Sequence, residues 1–285
     1  MAFPAGESEL RELVLFLHEV GAALNWTVLG GGANLFADSA GYDGVVVSLK
    51  HWSEPLSLDK EGVLVVPGGM DLRFVAEEAA RRGWGGVDWM AVVPGTIGGA
   101  VCINAGTAYE GYVADRLLWA ESMSPEGRLR RWSAEEMGFG YRVSRLLGQR
   151  EIVVRAGFRL ASVDSLGTTP DALFARFEEA MAARRAKFPL DLPNFGSTFR
   201  SPGAEWPPAG RLLDELGMKG LRLGNAQISE MHANFIVNLG NASSEDVIGL
   251  MERMRDAVQK RHGIILRPEV HFLHDGRRSR PEIFG

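Results

Sequence analysis

Residues 29–36 read LGGGANLF, and the fold turns on what those three glycines do. They follow a short apolar strand, NWTVLG (25–30). A glycine run lets the backbone approach an anion closely, so that its N–H groups donate directly to phosphate. A Rossmann reading requires G-x-G-x-x-G opening a helix. Here Gly30 and Gly32 are followed by Leu35 and no helical pattern comes next. No acidic residue ends a strand about twenty positions on, where a ribose partner belongs. That reading fails on context, and the glycine run alone is equally compatible with a tight turn. A second segment, VPGTIGGAVCINAG (93–106), leaves an apolar run in the same way, with Asn104 available for hydrogen bonding. Two such loops in one half of a chain suit a ligand with two phosphates and large flat rings. FAD fits that description.

Outward from the loops the pattern mixes helix and strand. Leu10, Leu13, Val14, Leu17 and Leu24 share one face of a helix in residues 7–24. Strands are expected at 44–49 and 62–66, and a helix at 71–83 with Asp71 as N-cap and Gly83 as stop. Residues 93–106 read as an apolar run giving way to glycines, and β-rich stretches surround 114–132 and 151–160. The Ser, Gly, Thr and Pro cluster ending at Pro170 reads as a linker. It leads into a helix at 170–187 with Leu173, Phe174, Phe177 and Met181 as its apolar stripe; proline suits the first helical position. NFIVNLG (234–240) is a strand, and a helix at 245–262 opens with a capping-box pattern, Ser243 to Asp246, and stops at Gly263. ILRPEVHFL (265–273) is a final strand. No internal repeat or low-complexity segment interrupts the chain.

At 285 residues the chain is long for one core, so two or three lobes are expected. Its 46% hydrophobic and 24% charged residues are ordinary for a soluble enzyme, and a net charge of −5 without a basic stripe argues against nucleic-acid binding. Arg277, Arg278 and Arg280 read as a solvated tail, and Arg184 and Arg185 as a solvated helix face. The single cysteine, Cys102, excludes an intramolecular disulfide and reads as a small buried hydrophobe. No signal peptide is recognisable, and no apolar run approaches the ~20 residues needed to span a bilayer. A cytoplasmic monomer without membrane association is expected. No histidine or carboxylate spacing suggests a metal site, so no catalytic metal is expected.

Seven segments, in order, carry a resemblance: LGGGANLF, VPGTIGGAVCINAG, MGFGYRVSRL (137–146), NFGSTFRSP (194–202), AGRLLDELGMKGLRLGNAQIS (209–229), HANFIVNLGNASSEDV (232–247) and LRPEV (266–270). Together they resemble the UDP-N-acetylenolpyruvoylglucosamine reductase (UDP-N-acetylmuramate dehydrogenase) family, in its shorter architectural type, over about residues 28–273. The resemblance implies an α+β chain: a two-lobed FAD-binding domain of the vanillyl-alcohol-oxidase type (1–55 and 56–165), a C-terminal α+β substrate-binding domain (166–272) and a tail (273–285). It implies non-covalent FAD, NADPH as hydride donor and a UDP-sugar as substrate. The implied cofactor contacts are Gly30, Gly31, Gly32, Ala33, Asn34 and Leu35 in the first loop. In the second they are Pro94, Gly95, Thr96, Ile97, Gly98, Gly99, Asn104, Ala105 and Gly106.

By the same resemblance Ser197 is the proton donor, Arg142 the cation beside the substrate carboxylate, and Glu269 a partner in holding and polarising the intermediate. Lys187, Arg200, Ser201 and Tyr141 are implied substrate contacts, Arg200 standing where the family often has lysine. His232 and Asn234 are expected to organise the substrate lobe. Each catalytic candidate has a plainer reading. Ser197 could be a turn residue bonding its own backbone, Arg142 a surface partner of Glu135 or Glu136, and Glu269 an exposed strand-start residue. Their joint occurrence in the right motifs favours the catalytic roles.

Two departures stand out. The chain starts a few residues before its first helix, so the first edge of the flavin lobe is expected to be missing. Ala33 stands where the family often has serine, a lost contact of roughly 0.5–1.5 kcal/mol. Two other functions share the fold-level evidence. One is an FAD-dependent oxidase using molecular oxygen, which Ser197, Arg142 and Glu269 argue against. The other is a flavin-free nucleotide-sugar-binding protein.

Overall fold

The computed structural model describes residues 1–52, 54–107, 111–274 and 282–284; the basic tail read at Arg277, Arg278 and Arg280 lies outside them. The chain divides into two units. The N-terminal unit comprises Met1–Gly31 and Gly44–Ala182, the C-terminal unit Gly32–Asp43 and Ala183–Gly285. The segment Gly32–Asp43, assigned to the first lobe on sequence, therefore groups with the C-terminal residues. The reason is strand pairing: Leu35–Ala37 runs parallel to His271–Leu273, with Phe36 opposite Phe272.

The N-terminal unit is built on a five-stranded antiparallel sheet. Its order is Leu129–Ser133, Leu117–Met123, Ile152–Phe158, Leu64–Pro67 and Ser57–Leu58. The central strand feeds two cores, and a register shift between Val153 and Arg155 moves the inward positions from odd to even residues on one face. Ile152 and Val154 join Leu10, Val14 and Leu17 of the helix Glu7–Val20. Val153, Ala156 and Phe158 join Leu72, Val75, Ala76 and Ala79 of the helix Leu72–Arg81. Asp71 caps that second helix by accepting from the amides of Arg73 and Phe74, at 2.9 and 3.3 Å. Arg155, on the same central strand, is held by Glu7, Glu54 and Glu121 at 3.0, 3.2 and 2.7 Å.

Trp26–Val28 and Val45–Val47 form a separate parallel pair. Ala2 lies on the other side of the second strand, its amide donating to Val46 O and its carbonyl accepting from Ser48 N. Residues read on sequence as too few to build an edge thus supply at least one rung of it.

Residues 97–103 differ from expectation. They form a helix, Ile97–Ile103, rather than a loop. Two glycines argue against helix, but burial of Ile97, Ala100 and Val101 and the Thr96 cap outweigh them.

In the C-terminal unit, a three-stranded antiparallel sheet (Arg222–Leu223, Ala226–Ile228, Ile236–Asn238) shares a core with the helices Ala209–Glu215 and Ser244–His262. Ser243 and Asp246 form the capping box, and Gly263 ends the helix at φ 73°. The expected strand 265–273 is reduced to His271–Leu273, because Pro268 has no N–H for a ladder. Phe36 packs between Phe195 and Phe272, with ring centroids 5.7 and 5.4 Å away.

Candidate active site

In the N-terminal unit the two glycine loops lie backbone against backbone. A Cβ on Gly31 would meet Gly95 Cα at 2.7 Å, and one on Gly30 would meet Thr96 Oγ1 at 2.7 Å. Gly98 donates to Gly68 O at 2.8 Å and Ile97 to Met70 O at 2.9 Å, which fixes the second loop on the chain. These contacts occupy the Ile97 and Gly98 amides. The amides of Gly30, Gly31, Gly95 and Thr96 donate to no acceptor among the described residues, and in the C-terminal unit the same is true of Gly32, Ala33 and Asn34. Open donors on glycine backbone are what a pyrophosphate requires. The residues present therefore fit FAD, with side chains excluded at Gly30 and Gly31 by the packing itself.

Asn104 and Arg142 share this unit. Asn104 ends the helix Ile97–Ile103 in the left-handed region (φ 46°, ψ 57°). Both ends of its amide are engaged: Nδ2 donates to Gly140 O, and Oδ1 accepts from Ala114 N, each at 3.0 Å. Gly140 and Val143 exchange backbone hydrogen bonds of 3.0 and 3.2 Å, closing a two-residue turn over Tyr141 and Arg142. Arg142 is itself left-handed (φ 56°), and its Nη1 donates to Gly106 O at 3.1 Å. Its guanidinium lies 5.4 Å from the exposed Tyr141 ring. Of the surface carboxylates weighed as partners, Glu136 pairs with Arg130 at 3.3 Å. Cys102, read as a small buried hydrophobe, is only half-buried; desolvation pushes its thiol up to about 12.

In the C-terminal unit the NFGSTFRSP segment is held on both sides. Asn194 accepts from Gly196 N at 3.0 Å, an Asx-turn, with Gly196 at φ 81°. Thr198 N donates to Asn234 O at 2.8 Å, and Thr198 O accepts from Glu269 N at 2.9 Å. The buried Asn234 side chain brackets Phe199, accepting from its N–H at 3.0 Å and donating to its carbonyl at 2.9 Å. Asn34 Nδ2 donates to Glu269 O at 3.1 Å, and Asn34 O accepts from His271 N at 3.1 Å. Ser197 and Glu269, far apart in sequence, thus stand on adjoining segments fastened by Thr198 and Asn34. Among the described residues no hydrogen bond involves the Ser197 hydroxyl, so the turn is made by Asn194 and not by Ser197. The next hydroxyl, Thr198 Oγ1, is fully buried without a partner among the described residues.

Lys187 ends the helix Pro170–Lys187, exposed, with Nζ 5.6 Å from the Phe188 ring. Phe188 packs on His232 and Phe235, at centroid distances of 5.2 and 5.1 Å. His232 accepts from Asn234 N through Nδ1 at 3.3 Å. Burial first, then the charges of Lys187 and Lys219, hold its pKa below the ordinary imidazole value; Asp214 opposes them. The shift disfavours the imidazolium beside the two lysines. Arg200 Nε is buried without an acceptor among the described residues, and Ser201 is exposed. Asn194 and Thr198 were not singled out on sequence. Asn194, two residues before a glycine, is a recognisable Asx-turn signal; nothing local marks Thr198.

Glycine loops with open amides and an antiparallel two-core sheet define the class of the N-terminal unit: residues 1–133 match the FAD binding domain family, and the protein is an FAD-dependent oxidoreductase. Residues 188–273 match the family model described as UDP-N-acetylenolpyruvoylglucosamine reductase, C-terminal domain. The protein of that name from Gloeobacter violaceus is 43% identical over 251 residues, 88% of this chain and 82% of the relative. That from Heliobacterium modesticaldum is 40% identical over 274 residues, 96% and 84% of the two chains. The crystal structure of the Thermus caldophilus enzyme matches with a TM-score of 0.73 at 33% identity, covering 94% of this chain and 89% of that one. The chain belongs to the UDP-N-acetylenolpyruvoylglucosamine reductase family.

Proposed function

We propose that Ser197, Arg142 and Glu269 carry the reaction of this family, reduction of the enolpyruvyl ether of UDP-N-acetylglucosamine to UDP-N-acetylmuramate for peptidoglycan synthesis. FAD, reduced by NADPH, supplies the hydride when bound. The open amides of Gly30 to Asn34, Gly95 and Thr96 would hold the cofactor's pyrophosphate. As the terminal carbon of the enolpyruvyl group gains hydride, negative charge develops on the adjacent carboxylate. The Arg142 guanidinium, oriented by Gly106 O, would stabilise that charge electrostatically. Glu269 would hold and polarise the enol-like form. The other carbon then needs a proton, which Ser197 Oγ would donate. Lys187, Arg200, Ser201 and Tyr141 would bind the UDP-sugar, Arg200 through the forked donors suited to phosphate.

The observation that carries this reading is the Ser197 hydroxyl. It makes no hydrogen bond among the described residues, although Asn194, Asn234 and Glu269 hold the backbone around it. A hydroxyl fixed in position with its proton uncommitted suits a donor better than a turn residue. No helix among the described residues is long and apolar enough to cross a membrane. An enzyme of soluble cell-wall precursor synthesis would act in the cytoplasm on a free nucleotide-sugar.

The test is anaerobic absorption of the FAD-loaded protein. NADPH should bleach the flavin, and the enolpyruvyl substrate should restore it. In Ser197→Ala the restoration should slow by ~10²–10⁴-fold, the usual contribution of a positioned acid, with bleaching unchanged. Normal restoration in that variant would remove Ser197 from the mechanism; bleaching without restoration in the wild type would move the substrate assignment elsewhere.

A further inference from the structure

We infer that Asn104 is a positioning residue that sets Arg142, rather than a contact to the cofactor. The inference rests on the proposed role of Arg142. Three hydrogen bonds tie the segment 102–106 to the Arg142 turn. Ser144 Oγ donates to Cys102 O at 2.6 Å, Asn104 Nδ2 to Gly140 O at 3.0 Å, and Arg142 Nη1 to Gly106 O at 3.1 Å. The middle bond is the one that acts on the turn itself, because Gly140 O also accepts the closing bond from Val143 N at 3.2 Å. Asn104 therefore grips the atom on which the turn closes, two residues from the guanidinium.

The asparagine is fixed from its own side as well. It is 6% exposed, sits in the left-handed region that asparagine tolerates better than most residues, and uses Oδ1 for Ala114 N. A donor to Gly140 and an acceptor from Ala114 are both needed, and aspartate supplies only the second. Asn104→Asp keeps volume and the Ala114 contact but turns a carboxylate oxygen toward Gly140 O. The turn must then shift, and Arg142 with it.

The experiment uses FAD-loaded, NADPH-reduced enzyme and follows reoxidation by the enolpyruvyl substrate in a single turnover. Four proteins are compared: wild type, Asn104→Asp, Arg142→Ala and the double variant. Misplacing a catalytic group by about 1 Å can reduce rates by ~10²-fold, so Asn104→Asp should slow reoxidation by roughly 10–100-fold. In the Arg142→Ala background the same change should alter the rate less than about 2-fold, since coupled residues are non-additive. FAD affinity and the rate of reduction by NADPH should stay within about 3-fold of wild type, the scatter of distant independent sites. Added guanidinium should rescue both Arg142→Ala proteins to one common rate.

Equal fold-losses in the two backgrounds would overturn the inference and make Asn104 a general structural residue. A weakened FAD affinity with normal reoxidation at saturation would overturn it in favour of a cofactor contact. If Arg142→Ala reoxidises at the wild-type rate, the proposed role of Arg142 fails, and this inference falls with it. Should Asn104→Asp not fold, Asn104→Gly keeps the left-handed backbone while removing the donor to Gly140, and the same pattern is expected.

Discussion

The turn that carries Arg142 and the turn that carries Ser197 solve the same problem in opposite ways. In the first, the proposed catalytic residue itself occupies the left-handed region, and its side chain is bonded to Gly106 O. In the second, Gly196 takes the left-handed position and the hydroxyl of Ser197 is left uncommitted. A large cation can be held by its own side chain, so the backbone beneath it can carry strain of about 1–2 kcal/mol. A hydroxyl with one proton has none to give to its own support, so neighbouring asparagines and a glycine do that work.

Arg142→Gly attacks the comparison most strongly. It should lower substrate-dependent flavin reoxidation by ~10²–10³-fold, the range for losing an electrostatic stabiliser. Loss of left-handed strain should offset the lost Gly106 bond and the added chain entropy, leaving unfolding free energy within about 1 kcal/mol of wild type in urea titration. A large destabilisation would mean that the turn does not store strain at Arg142.

Gly196→Ala reverses the test. At φ 81°, with a new Cβ 3.3 Å from Ala33 O, it should destabilise by about 1–3 kcal/mol, and a thermal melt would read this directly. An unchanged melt would show that the Asx-turn at Asn194 can relax.

Thr198→Val separates the two neighbouring hydroxyls. A buried hydroxyl without a partner costs roughly 1–3 kcal/mol, so its removal should be neutral or stabilising, by up to about that amount. Destabilisation would reveal an unrecognised partner.

The smallest effect concerns pH. The pKa of His232 is lowered in the folded state by burial and then by Lys187 and Lys219, against Asp214. Below about 6.5 the unfolded chain takes a proton that the folded chain refuses. Stability should therefore fall as pH drops from about 6.5 toward the lowered folded value, and His232→Gln should flatten that slope in melts taken across the window. An unchanged slope would mean that His232 is accessible to protons at no cost.

Local signals were the legible part of this fold. Asp71, the Ser243–Asp246 box and Gly263 cap their helices because capping depends on residues a turn apart. Mixed helix and strand, and the exclusion of a Rossmann turn, also followed from short-range pattern. The illegible part is what long-range contacts decide. Gly30 and Gly31 read as anion contacts, yet the absence of their side chains is required by Thr96 and Gly95. Asn34 and Asn104 read as cofactor contacts; that their side-chain amides also tie down carbonyls of the chain is not visible in any sequence window. The helix at Ile97 was hidden because its glycines lower propensity, while its stability comes from burial that a sequence window does not contain. Ser197, Arg142 and Glu269 were singled out by motif order; no local property distinguishes them from turn and surface residues.

The pairing of Leu35–Ala37 with His271–Leu273 has a consequence for biogenesis. The chain passes between the two units three times, at residues 31/32, 43/44 and 182/183. On the ribosome, the excursion 32–43 must wait for its partner strand until residues 271–273 have been translated. Phe36 gains Phe195 first and lacks Phe272 until that strand is made. A fragment beginning at residue 183 would lack a strand of its own sheet, and a chain interrupted before residue 271 would leave one end of LGGGANLF untethered. The proposed cofactor loop is thus completed only once residues 271–273 have been made.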